Sequence, residues 1–174
     1  MSSFHLGHSA GLYLGSNPLD QRPGDSSGSH DFNSVTWTEI TNVGDTSLGG
    51  DPETADLTTR DSARSGFTSE VDVLERGQLT FTMSVKDLSS DANLEAIVEA
   101  KINKTELSLL DLTKRISEAG AWGFVANWTI NFSQNRPVKG GQIISVTAKL
   151  VSFSDYVETD TVGSGPLKLF GTYG

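Results

Sequence analysis

The stretch that decides the fold is residues 122–153. It opens Trp122-Gly123-Phe124-Val125-Ala126-Asn127-Trp128-Thr129-Ile130-Asn131-Phe132-Ser133 and returns as Gln142-Ile143-Ile144-Ser145-Val146-Thr147-Ala148-Lys149-Leu150-Val151-Ser152-Phe153. In the first half Phe124, Ala126, Trp128, Ile130 and Phe132 alternate with Val125, Asn127, Thr129, Asn131 and Ser133. Successive strand side chains point to opposite faces, so this is a strand with one apolar side and one largely small and polar side. In the second half Ile144, Val146, Ala148 and Leu150 take the apolar side, against Ile143, Ser145, Thr147 and Lys149. Between them, Pro137 lacks a ladder donor and Gly140-Gly141 permit a positive φ, which reads as a turn. The pair predicts one long β-hairpin. Strands of about 12 residues span roughly 40 Å, well beyond the usual five or six residues, so something other than a small core requires the length.

Working outward, Gln78 to Lys86 alternates in the same way, with Leu79, Phe81, Met83 and Val85 opposite Thr80, Thr82, Ser84 and Lys86. Val35 to Thr41 predicts a β-branched and aromatic strand closed by Asn42-Val43-Gly44-Asp45, and Thr54 to Arg60 a weaker one. Residues 61–76 are charged and read as a long loop. One helix is predicted at about 91–103: Ser90-Asp91 supply the N-cap, and Leu94, Ile97, Val98, Lys101 and Ile102 follow helical spacing. Glu106 to Thr113 predicts a further strand. The expected fold is mainly β: an antiparallel β-sandwich or partial barrel with one flanking α-helix. It forms a single domain over 1–174, with an N-terminal arm at 1–34, a core at 35–153 and a C-terminal arm at 154–174. The first arm is too rich in Ser, Gly, Asp and Pro to bury its own surface. It reads either as a tail or as an arm ordered against a neighbour, through the apolar patches Leu12-Tyr13-Leu14 and, at the other end, Leu167-Lys168-Leu169-Phe170.

Composition narrows the function. The 174 residues carry a formal net charge of −9 and 36% hydrophobic residues. Such a charge opposes an electrostatic grip on DNA or an anionic membrane, though not the passage of nucleic acid nearby. The absence of cysteine removes disulfides, thiolate metal sites and cysteine nucleophiles. No apolar run is long enough to span a bilayer, and Met1–Leu6 has no signal-peptide pattern, so the sequence predicts a soluble chain made in a cytoplasm.

Catalytic motifs fail on context. Gly7-His8-Ser9-Ala10-Gly11 matches the G-x-S-x-G nucleophile elbow, but no hydrophobic strand precedes it and Pro18 forbids a long helix after it. His5 and His8 lie outside any helix that would converge them on a metal, and His30 stands far from both. Asp51, Glu53, Asp56 and Asp61 lack the EF-hand spacing. The sequence therefore predicts no enzyme, no metal site and no cofactor. The polar strand faces carry more information: they fit either the solvent side of an ordinary sandwich or the wall of a water-filled channel. Short uncharged side chains suit a channel wall because long cations would hold a passing polyanion.

At this point the chain resembles the tail tube proteins of long-tailed bacteriophages. The resemblance covers about residues 35–153. It runs through Trp37–Asp45, Ala55–Arg60, Gly77–Met83, the helix and Trp122–Phe153, and is most specific at Phe132–Val138 with Val146–Leu150. It implies six-fold rings stacked into a tube, with the long strands of six copies joined in one barrel around a lumen. It further implies that double-stranded DNA passes through without specific binding, and that tape-measure, tail-tip and tail-terminator proteins are partners. The location implied is the virion tail, assembled in the host bacterial cytoplasm. On this reading Thr80, Thr82, Ser84, Asn127, Thr129, Asn131 and Ser133 face the lumen. Arg60, Asp61, Arg64, Glu70, Asp72, Glu75 and Arg76 form an inter-ring loop of mixed charge, and Leu12, Tyr13, Leu14, Leu167, Leu169 and Phe170 anchor the arms on neighbours. The terminal arms exceed the minimal family core. That leaves open a flexible tail, a contractile tail with its sheath, or a phage-derived injection particle. A monomeric lectin-like module using Trp122 is the alternative of a different class.

Overall fold

The alternation of 122–153 is realised in a computed structural model that describes residues 10–21, 33–56, 70–85, 90–136, 140–159 and 167–169, with backbone alone at 50–56, 70–76, 168 and 169. Eight strands are described: β1 Gly11–Gly15, β2 Trp37–Glu39, β3 Val43–Asp56, β4 Glu70–Ser84, β5 Glu106–Leu112, β6 Trp122–Asn135, β7 Ile143–Thr159 and β8 Leu167–Leu169. A single helix, α1, spans Ala92–Asn103. All strands belong to one antiparallel sheet in the order β2-β1-β5-β6-β7-β4-β3, with β8 added to β7.

Strand order and chain connectivity together give the shape. β2 and β3 lie at opposite margins of the sheet, yet only Ile40–Asn42 separate them. Laid flat, seven strands would hold the margins ~29 Å apart at ~4.8 Å per strand. Four Cα steps from Glu39 to Val43 reach at most ~14 Å. The sheet therefore curls into a partial barrel, and residues of β1, β2, β3 and β5 face one another across a cavity of about 570 Å³. Helix α1 covers the concave side. Asp91 caps it by accepting the Leu94 N–H at 3.1 Å, and Lys104 stops it in the left-handed conformation (φ 54°).

Two cores result, one on each face of the sheet. The first joins Leu79, Phe81, Met83, Ile130, Ile144 and Val146 to Leu94, Ile97 and Ala100 of the helix. The second lies on the opposite face of the lower sheet and gathers Tyr13, Leu19, Val35, Leu110, Val125, Val157 and Leu167. Two register slips on β7 separate the zones: Trp128↔Leu150 steps to Asn127↔Ser152, then to Val125↔Asp155. Phe153 lies in the second slip at φ 53°, which a bulky residue adopts only under surrounding packing.

Several expectations need correction. The segment Asn42–Asp45 does not close a strand, because β3 begins at Val43 and only Trp37–Glu39 of the preceding segment is strand. The candidate strand at 54–60 is the end of β3 as far as Asp56, and its remainder lies outside the described residues. The long loop is shorter than expected at its far end: β4 starts at Glu70, and Glu70, Asp72, Glu75 and Arg76 pair with Asp56, Thr54, Pro52 and Asp51. Pairing with β3 satisfies the backbone there, and the alternation of Val71 and Val73 with Glu70 and Asp72 was its local trace. The hairpin's second strand runs past Phe153 to Thr159.

The arm anchors change most. β1 lies between β2 and β5, sending Leu12 and Leu14 into the first core and Tyr13 into the second. Both its edges and both its faces are used within the chain. Leu167 is buried in the second core and β8 pairs with β7, so Leu167 and Leu169 are held by their own sheet as well. Phe170 lies outside the described residues.

Candidate functional site: a polar four-stranded wall

Strands β3, β4, β7 and β6 form a ribbon whose convex face is polar. The registers align Gln78 with Lys149 and Thr129, Thr80 with Thr147 and Asn131, and Thr82 with Ser145 and Ser133. Ser47 of β3 extends the middle row beside Thr80. Thr129, Asn131, Ser133, Ser145 and Lys149 are exposed, and Thr80, Thr82 and Thr147 are half-buried. The opposite face of the same strands carries Leu79, Phe81, Val146, Ala148 and Ile130, which the first core requires. Burial of one face thus fixes which side chains line the other, since a one-residue slip would exchange them.

Six of the seven residues expected on the lumen side share this convex face. Ser84 lies at its upper end and is exposed, opposite Ile143. Asn127 does not belong. It is 1% exposed, and its amide brackets the backbone of Leu19: Oδ1 accepts the Leu19 N–H at 2.8 Å and Nδ2 donates to the Leu19 carbonyl at 2.7 Å. Ser108 supports the same segment by donating to the Asn17 carbonyl at 2.7 Å. Alternation placed Asn127 on the right face, but chain 108 residues away covers that part of it. Ser145, Thr147 and Lys149 of β7 join the wall as well. Their signal was the same period-two pattern in β7.

The ribbon ends in edges. Among the described residues β3 pairs only with β4, and β6 beyond Thr129 pairs only with β7. Of the expected inter-ring residues, Glu70, Asp72, Glu75 and Arg76 lie on β4, while Arg60, Asp61 and Arg64 lie outside the described residues.

Other chemistry is sparse. Gly11, the last residue of the G-x-S-x-G match, opens a strand where the elbow needs a helix. Among the described residues no cluster of His, Asp or Glu could hold a metal ion. Asp111 lines the barrel cavity with Glu39 and Arg115, and burial raises its carboxyl above the ordinary range. Tyr13 is raised chiefly by burial, with the N–H of Ile116 donated to its hydroxyl at 2.9 Å working the other way. At the lower mouth of the barrel, Leu48, Trp122, Phe124 and Tyr156 line a second cavity of about 310 Å³. There the Phe124 and Tyr156 rings meet edge to face at 5.0 Å.

No protein-family model and no curated protein matches the chain. Solved structures do. A chain from the virion of a native gene transfer agent particle is similar at 12% identity and TM-score 0.59, over 87% of this chain and 97% of that one. The tail of an empty gene transfer agent particle, determined with C6 symmetry, gives 13% identity and TM-score 0.59 over 95% and 98%. The SPP1 tail tube gives 11% and 0.57 over 90% and 81%. Identities this low establish a shared fold, and the fold is the one expected: mainly antiparallel β with one flanking helix.

Proposed function

We propose that this chain is the structural subunit of a tail tube, with six copies joined edge to edge in a ring and rings stacked around a lumen through which DNA passes. The observation that carries the reading is the four-stranded ribbon: polar on its convex face and, among the described residues, with one edge unpaired along β3 and the other along the end of β6. Four antiparallel strands make an even number, so β6 of one copy meets β3 of the next in antiparallel sense without reversing either subunit. Repetition of such a head-to-tail contact closes a ring, and closure removes the exposed edges. The C6 tail and the SPP1 tail tube with the same fold support six-fold stacking. On this reading the protein is a virion component without catalytic function, assembled in the host cell, and tape-measure, tail-tip and terminator proteins would cap or fill the tube. The gene transfer agent likenesses favour a phage-derived DNA-transfer particle as much as a virus.

The absence of native cysteine makes the test direct. In assembled material, the double variant Ser47→Cys with Asn131→Cys places thiols at the two ends of one row. Under oxidation it should give a ladder of covalent oligomers stopping at six, and neighbouring registers are covered by Ser133→Cys or Thr129→Cys in place of Asn131→Cys. Protein that stays monomeric at high concentration, shows no rings or tubes by electron microscopy and forms no ladder in any register would refute the reading.

A further inference from the structure

Where the three rows cross β4, β7 and β6, Lys149 is the only charged residue. Its cross-strand partners are Gln78 and Thr129, neither of which can neutralise it. Among the described residues its ammonium has no ion-pair partner. The nearest acid along its row is Glu106, paired with Thr129 on the far side. That places it two strands away, ~10 Å at ~4.8 Å per strand, about one Debye length at physiological salt. Elsewhere this is an acidic chain with a net charge of −9. Among the described side chains of the wall, Lys149 is therefore an exposed cation in a field of hydroxyls and amides, and a point that attracts a polyanion.

We infer that Lys149 is a contact for the phosphate backbone of double-stranded nucleic acid inside the tube, repeated six times around each ring. The inference rests on the tube reading and gives the wall a second property. Hydroxyl and amide side chains carry no charge, so meeting a phosphate releases no condensed counterion and they hold a duplex less firmly than a cation does. An ammonium releases condensed counterions when it meets a phosphate, and each such contact adds about −0.9 to the slope of log K against log salt.

The test uses tubes of the full-length chain and mass-spectrometric mapping of lysine acetylation. Three conditions are compared: a small acetylating reagent, the same reagent tethered to a carrier too large to enter a lumen, and the small reagent with short duplex DNA or poly-glutamate present. The expected result has three parts. The small reagent modifies Lys149 and the tethered one does not. Duplex DNA at low salt reduces the modification about fivefold, with protection lost at several hundred millimolar salt, as counterion release requires. Lys114, outside the wall, is indifferent to the duplex. Tubes of Lys149→Gln should form normally, because the side chain supports nothing else. Modification of Lys149 by the tethered reagent would overturn the lumen reading itself. Unchanged modification with duplex present, the tethered reagent still excluded, would overturn this inference and leave the tube standing. Protection by poly-glutamate alone would replace nucleic acid with an acidic polypeptide as the occupant, and failure of Lys149→Gln to assemble would make the lysine a subunit contact.

Discussion

Replacing Asn127 with alanine removes an amide that satisfies both backbone polar groups of one buried residue, Leu19. The Leu19 N–H and carbonyl lose partners at 2.8 and 2.7 Å, and the Ser152 hydroxyl loses its neighbour at 3.3 Å. Leaving two buried backbone groups unmet costs about 1–3 kcal/mol each. The segment 16–21 has an alternative, which is to leave the sheet. That exposes Leu19, now 2% exposed, at about 2 kcal/mol, and breaks the Ser108 bond to Asn17 at about 1 kcal/mol. The smaller of the two costs sets the result, so Asn127→Ala should destabilise the subunit by about 2–4 kcal/mol. For a domain of this size that is a fall in Tm of roughly 5–15 °C. Calorimetry of the unassembled subunit measures it, and Asn127→Asp sharpens the logic. An ionised carboxylate still accepts from the Leu19 N–H but opposes the carbonyl, whereas a protonated one donates to that carbonyl and restores both bonds. The folded state then favours the proton, so the carboxyl pKa is raised on folding, and stability relative to wild type improves as pH falls from 7 toward 4. A loss below about 0.5 kcal/mol for the alanine variant, with no pH dependence for the aspartate variant, would refute the clamp.

Two further outcomes follow from the cavity and the sheet. Burial raises the Asp111 carboxyl, so its charged form destabilises the fold once pH exceeds the unfolded value of 3.8, progressively up to the folded pKa. Asp111→Asn should therefore raise Tm at pH 7 and leave it nearly unchanged near pH 3, and a stability loss at pH 7 would show that the carboxylate has a favourable role. At Gly123 a Cβ would run into the Asp111 carbonyl and the backbone of Leu112, which cannot swing away. Gly123→Ala should separate β5 from β6 and cost about 3 kcal/mol or more, read as a lowered urea midpoint, and an unchanged midpoint would refute the close approach.

The parts of this fold that are legible in sequence are those decided by neighbours along the chain. The period-two pattern of Phe124–Phe132 and Ile144–Leu150 reports its own buried face, and Asp91 reports its own cap, so the hairpin and the helix lie where the residues indicate. The parts that are not legible depend on distant partners. Leu12-Tyr13-Leu14 is an apolar scrap until β5, nearly a hundred residues later, supplies a ladder for it. Asn42-Val43-Gly44-Asp45 has turn chemistry, yet β4 draws Val43 into pairing with Met83 and absorbs the irregularity as a bulge. Asn127 shows the limit most clearly, because its alternation is correct and its exposure is set by Leu19. A wall residue can be read to a face from local pattern, whereas what covers that face cannot.

The three residues Ile40–Asn42 tie the two margins of the sheet together, and Asn42 is itself fastened by its amide to the Ser84 carbonyl at 2.7 Å and to the Asp91 carboxylate at 3.0 Å. In the ring proposed above, a pull on β3 would therefore be borne by two routes, its own long ladder to β4 and this knot, which hands part of the load to the head of the helix and to the far margin of the sheet.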